Sequence, residues 1–205
     1  MVTRKSSLAI PLAFMLLAGC SEAPKTENAK KTERAPQPVT GRQAFQMMYP
    51  QARRWAVDAQ PLELRSINLP EVAAPKGKAG AWQAIFVSAS LNKSRMYTYS
   101  AIEAGGNLHE GVFGNIAEDA PAHPSSAPFE MSAIRIDSDQ AYEIAAKKSQ
   151  EYIQKHPKEP VSFLLEQNKR FPEVSWRVIW GESVGTSEYS VFVGATTGAL
   201  LAIAH

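Results

Sequence analysis

From residue 41 onward the chain switches between stretches whose apolar positions recur with helical spacing and short runs in which apolar and polar residues take turns. Those two periods mark amphipathic helices and half-buried strands. The spacing predicts a helix over 41–59, bent at Pro50 because proline has no backbone N–H to donate, and then strands near 62–68, 81–90, 95–104 and 107–113. After a break, Ala133 to Ile136 reads as a short strand. Asp137, with Gln140 three residues on, offers a capping-box start to a helix that runs to about Lys155 and is stopped by Pro157 and Pro160. Strands follow near 161–167, 174–182, 187–195 and 199–204, separated by the turn formers Asn168, Pro172, Gly185 and Thr197-Gly198.

The same order of elements occurs twice. Gln43, Ala44 and Phe45 match Gln140, Ala141 and Tyr142; Trp82 to Phe86 matches Trp176 to Trp180; Tyr97 to Tyr99 matches Tyr189 to Val191; and Gly106 to Leu108 matches Gly198 to Leu200. Four matches in one order point to internal duplication. The fold class expected is α+β: a tandem repeat of a helix followed by a four-stranded antiparallel sheet, over 42–116 and 132–205, with a proline-rich linker or long surface loop at 117–131. A unit of this size is marginal alone without disulfides, so the two repeats should pack together.

Strand alternation divides the sheet residues between two faces. Trp82, Ala84 and Phe86 share one face in the first repeat, as do Trp176, Val178 and Trp180 in the second, and both sets are expected beneath the helices. The opposite faces carry Gln83, Ile85 and Val87 in one repeat and Arg177, Ile179 and, on the next strand, Phe192 in the other. Either the two sheets cover each other along these faces, or these six residues form an exposed patch that binds a partner.

The first forty residues differ in kind. Arg4 and Lys5 precede an apolar run from Leu8 to Ala18, interrupted by Pro11 and well short of the roughly 20 residues that span a bilayer. This is the layout of an export signal over residues 1–19. The residues Leu17, Ala18, Gly19 and Cys20 resemble the bacterial lipobox. That resemblance implies that lipid is added to the Cys20 sulfur and that cleavage precedes it. The protein would then be a lipid-anchored component of the cell envelope, and Ser21 points to the outer membrane. Residues 20–41 contain the lipidated cysteine and a Lys-, Glu-, Thr- and Pro-rich flexible tether with a typical reach of roughly 25 Å.

Charge and cysteine content narrow the possibilities. The chain has a formal charge of +2, and loss of Arg4 and Lys5 with the signal brings this to zero, which gives no electrostatic basis for binding nucleic acid. Cys20 is the only cysteine, so no disulfide can staple the domain.

The stretches Ser138 to Ala145, Val174 to Trp180 and Ser187 to Leu201 resemble the PepSY domain, with a fainter echo in 42–113. Thr197-Gly198 occupies the Thr-Gly position that opens the last strand of that family, while Gly194 stands near a position where members often carry aspartate. The tandem helix-and-sheet arrangement is also similar to cystatin-like units and to β-lactamase inhibitor proteins. The resemblance implies a non-catalytic module that binds a protein or peptide, with an inhibitory or chaperone-like action, and no cofactor besides the lipid.

One segment competes with that reading. Gly181-Glu-Ser183-Val-Gly185 fits the G-x-S-x-G expression of serine esterases, although a strand is expected after it where an elbow needs a helix. A purely structural envelope lipoprotein is the third possibility. His109, His123, His156 and His205 show no metal-ligand spacing, although His109-Glu110 could meet Glu118-Asp119 on folding. No phosphate-loop, dinucleotide or zinc motif occurs.

Overall fold

The computed structural model describes residues 35–121 and 125–205. The first helix, α1 (Gly41–Trp55), follows a two-residue strand, β1 (Val39–Thr40). Thr40 and Gln43 close a reciprocal capping box at its start. Gly41, Ala44, Phe45, Met48 and Ala52 form its buried stripe. The helix runs through Pro50. Gln46, whose carbonyl loses its usual donor there, lies with Pro50 on the exposed side, where water can replace the missing bond. It ends four residues short of the sequence expectation.

Strand β2 (Gln60–Ile67) comes next, followed by β3 (Lys78–Ala79), which pairs with β1. The meander β4 (Ala81–Ser88), β5 (Lys93–Ser100) and β6 (Gly111–Gly114) completes the first set. The intervening segment is not a free linker. Two short strands, β7 (Glu118–Asp119) and β8 (Ser126–Ala127), pair with β5 and with the later β9, and Phe129 is buried against Phe45 with ring centroids 6.4 Å apart.

The expected strand at 133–136 is instead a 3-10 turn at Met131–Ala133. Asp137 and Gln140 form the anticipated capping box at the start of α2 (Ser138–Lys148). Ser149 then breaks the helix: its hydroxyl donates back to the Ala145 carbonyl at 2.8 Å, and α3 (Gln150–Lys155) continues beyond. Strands β9 (Val161–Asn168), β10 (Ser175–Trp180), β11 (Tyr189–Gly194) and β12 (Leu200–Ala204) close the chain.

The main sheet is antiparallel, in the order β12-β11-β10-β9-β2-β4-β5-β6. This overturns the expectation that two sheets cover each other. They meet edge to edge instead, through β2 and β9, with Glu63, Leu64 and Arg65 opposite Glu166, Leu165 and Leu164. Leu64 and Leu165 are fully buried at this joint, and the Ser66 hydroxyl accepts the Phe163 N–H at 2.8 Å.

α1 packs over β4 and β5, and α2 over β10 and β11, on the same side of the sheet. One buried cluster therefore draws on both sets of strands. At its centre Trp82 and Trp176 meet edge to face, 6.3 Å between centroids. Each indole N–H donates to the carbonyl of the residue just before a helix cap, Trp82 to Val39 at 3.1 Å and Trp176 to Ile136 at 2.8 Å. Gly41 is required between them, since a Cβ there would lie 2.5 Å from the Trp176 ring.

The two helix starts also converge. The buried Asp137 carboxylate accepts from its neighbour Ser138 N–H at 2.7 Å, from Arg42 N–H at 2.9 Å and from the Thr40 hydroxyl at 2.6 Å. Ser138, also buried, accepts the Gly41 N–H through its hydroxyl and donates to the Gly77 carbonyl. Gly77 has φ +80°, and a Cβ there would sit 2.2 Å from Asp139 Cα, so this approach admits only glycine.

When Trp82 is matched to Trp176, the first two sequence correspondences fall at like positions and the last two do not. Tyr97 faces Ala84, whereas Tyr189 faces Trp180, which is two residues out of step. Leu108 lies in a loop before β6, whereas Leu200 begins β12.

Asp58 ties the end of α1 to the β4–β5 turn. Its carboxylate accepts the Ser88 hydroxyl at 2.7 Å and the Ser90 N–H at 2.8 Å, and these bonds hold its pKa down to about 2 from the ordinary 3.8. A lowered carboxylate pKa stabilises the fold above the unfolded value, and that contribution is lost as pH falls through about 2. An NMR titration of Asp58 should show its midpoint near the lower value, and Ser88→Ala should move it upward.

Candidate functional site

The helices cover one side of the sheet. The other side carries a small apolar cluster at one end, where Leu69, Val72 and Leu108 lie over Ala81. Beyond that cluster the strand registers set side chains in rows across the face. One row runs Phe192, Arg177, Leu164, Arg65, Gln83 and Thr98; the next runs Ser175, Glu166, Glu63, Ile85 and Met96.

Gln83, Ile85 and Val87 are half-buried on β4, and Arg177 is half-buried on β10. Ile179 and Phe192 differ from the expectation of an exposed patch, being only 2% and 6% accessible. Phe171 lies against Phe192 at 5.1 Å, and the Arg170 and Arg177 guanidinium groups lie over its ring at 5.6 and 5.2 Å. Ile179 lies in the floor of a hollow beside the 182–185 loop. β4 and β10 are separated by two strands, and Ile179 lies four residues along β10 from Ser175, which shares the Ile85 row, so the two isoleucine positions stand roughly 20 Å apart on one continuous surface.

That hollow, about 540 Å³, straddles the β2–β9 joint. Arg65, Leu164, Arg177 and Ile179 line it, with Glu63 and Glu166 at its side and Glu182 and Val184 on the overhanging loop. Arg65 is ion-paired to Glu63. Glu166 accepts from the Ser126 hydroxyl and from Asn168 Nδ2. Arg177 donates from Nε to the Ser190 hydroxyl at 2.9 Å. Burial pulls its pKa down while the Glu166 charge pushes it up; a guanidinium remains charged under these influences.

Sequence reasoning missed the β2 and β9 contributions to this face, Arg65, Leu164, Glu63 and Glu166. Alternation within each strand could have assigned them to the same side as Arg177. No local signal carried the pairing that brings them together.

The G-x-S-x-G segment forms a loop between the antiparallel strands β10 and β11, not the strand-turn-helix of a nucleophile elbow. The Ser183 hydroxyl is 3.0 Å from that of Thr186. His109 lies against Glu103 and Asp119 against Lys93, so the suggested His109–Asp119 gathering does not form. His156 stacks on Tyr152, and His205 meets the edge of Tyr189. Among the described residues, no group of three or more His, Cys, Asp or Glu side chains gathers to hold a metal ion. No helix among them is long and apolar enough to cross a membrane. Cys20, the stretch 1–19 expected to be an export signal, and His123 lie outside the described residues.

The described residues thus define a mixed α and β chain with its helices on one side of a large antiparallel sheet. No family model, curated protein or solved structure matches it.

Proposed function

We propose that this is a non-catalytic, lipid-anchored module of the cell envelope that binds another envelope protein or a peptide across the open face of its sheet. The observation that carries the reading is that face itself: half-buried apolar and charged side chains line a hollow that no helix among the described residues covers. Ligand sites are concave and combine apolar lining with a few oriented polar groups. Anchoring is through lipid on Cys20, and the Lys-, Glu-, Thr- and Pro-rich composition that follows it suits a tether between membrane and domain.

The two helix-and-sheet sets are read as tandem PepSY-like units joined at their first strands. The paired capping boxes and the matched indole hydrogen bonds of Trp82 and Trp176 support that reading. Gly194 also fits, because Glu173 supplies a carboxylate to the turn there. It accepts Thr196 N–H and Thr197 N–H, both at 3.1 Å, and a Cβ at 194 would meet its Oε1 at 2.5 Å.

The test is proximity crosslinking and pull-down from native membranes, comparing the intact chain with an Ile85→Asp, Leu164→Asp variant, the second position in the hollow itself, whose fold is checked by circular dichroism. Both positions are half-buried, whereas a carboxylate at the buried Ile179 or Phe192 would unfold the sheet. A specific partner recovered with the intact chain should fall about tenfold or more with the variant, the size of a modest interface defect. Equal recovery, or no reproducible partner, overturns the reading.

A further inference from the structure

On the helix side of the sheet, beside the C-terminal end of α1, lies a hollow of about 300 Å³ lined by Arg54, Trp55, Arg95, Tyr97, Val112 and Gly114. Arg95 is held in place there. Its Nε–H donates to the Asn115 carbonyl at 2.6 Å, and its guanidinium lies 5.2 Å from the Tyr97 ring centroid. The guanidinium also lies beside the Tyr97 hydroxyl, which donates to the Gln51 carbonyl at 3.2 Å, and no carboxylate among the described residues pairs with it. Arg54 reaches the same space from the last helical turn and has only a long 3.4 Å bond to Gln51 Oε1.

The charge around these two arginines is unbalanced. Arg42, Arg65 and Lys93 each have a carboxylate partner, whereas among the described residues Arg54 and Arg95 have none, and no acidic side chain lines the hollow. Asp58 is engaged by Ser88 and Ser90, and Asp119 by Lys93. Gly114 keeps the β6 side of the hollow free of a side chain, since a Cβ there would meet Tyr97 at 2.7 Å.

A guanidinium presents a rigid fork of donors that matches phosphate oxygens in pairs, and stacking on an aromatic ring fixes the plane of the fork. We infer that Arg54 and Arg95 form a phosphate-binding site walled by Trp55 and Tyr97, which takes either a free phosphate or the headgroup of an anionic phospholipid. The site lies on the opposite side of the sheet from the proposed partner face and does not depend on that reading.

Trp55 is half-buried at the hollow while Trp82, Trp176 and Trp180 are deep in the core, so Trp55 emission should report occupancy, with Trp55→Phe as the blank. The full chain in dodecylmaltoside micelles would be titrated with inorganic phosphate and, separately, with dihexanoyl phosphatidylglycerol. A saturable change is expected that weakens about tenfold or more in Arg54→Ala and in Arg95→Ala, the size of one lost charge-assisted hydrogen bond. Arg65→Ala, which removes the same charge from the other face, should leave it unchanged. Saturation by phosphate assigns a free anion, and saturation by the lipid alone assigns a headgroup. Arg54 is exposed, so that variant keeps the test valid if Arg95→Ala fails to fold. No saturable change with either probe, or an equal loss in Arg65→Ala, overturns the site.

Discussion

Replacing Asp137 with alanine should lower the free energy of unfolding by about 4 kcal/mol, and the thermal midpoint by roughly 10 °C. The magnitude follows from what the carboxylate holds. Thr40, Arg42 and Ser138 all donate to it in a buried setting. One helix cap contributes about 1 kcal/mol, and hydrogen bonds to a charged group contribute more. Asp137 also serves α1, from the other set of elements, so its loss leaves donors at two helix starts without partners. Asp137→Asn keeps an acceptor but loses the charge, and should cost about half as much. Urea titration of the three proteins checks this. An alanine variant within about 1 kcal/mol of the parent would mean that water satisfies those donors as well as the carboxylate does.

Trp176→Ala should be as damaging, at about 4 kcal/mol, within the range for removing a buried aromatic side chain. It strips the edge contact from Trp82, leaves the Ile136 carbonyl without its indole donor and opens a void beside Gly41. Its diagnostic value lies in where the loss is felt. Because the two tryptophans come from different strand sets and share one buried cluster, the variant should unfold in a single transition. Amide exchange at Trp82 to Phe86 in β4 should then accelerate along with exchange in β10. Unchanged protection in β4 would show that the two sets hold their structure independently.

Much of this architecture was legible in the sequence because it is local. Asp137 with Gln140 announces a helix start through side chains three residues apart, and Thr40 with Gln43, which the sequence reading passed over, carries the same signal. The alternation in Trp82 to Phe86 and in Trp176 to Trp180 assigns each residue to a face without knowledge of a partner strand. The helix that continued past Lys148 on paper is broken by the hydroxyl of Ser149, a choice that propensity does not resolve. What the pattern could not specify is which edge meets which. Leu64 and Leu165 are simply buried strand residues until β2 and β9 pair, and the period-2 signal is the same whether two sheets stack or join. That ambiguity hid the site. Leu164 sits beside Arg177 within the β9–β10 pair, but Arg65 joins them only in the joined sheet, and Phe192 is buried by Phe171 and two arginines rather than by a second sheet.

The β2–β9 pairing also sets the order of events during synthesis. Arg65 and Leu164 are about a hundred residues apart, and pairing distant strands is slow because a long loop must close before the contacts form. A chain emerging from its N-terminus completes β4, β5 and β6 while β2 still has an unpaired edge, with Glu63 and Arg65 the charged residues along it. Until β9 arrives, that edge can accept a strand from any neighbouring chain. A truncated protein ending before residue 160 would keep it permanently bare, and such fragments should self-associate where the whole chain does not.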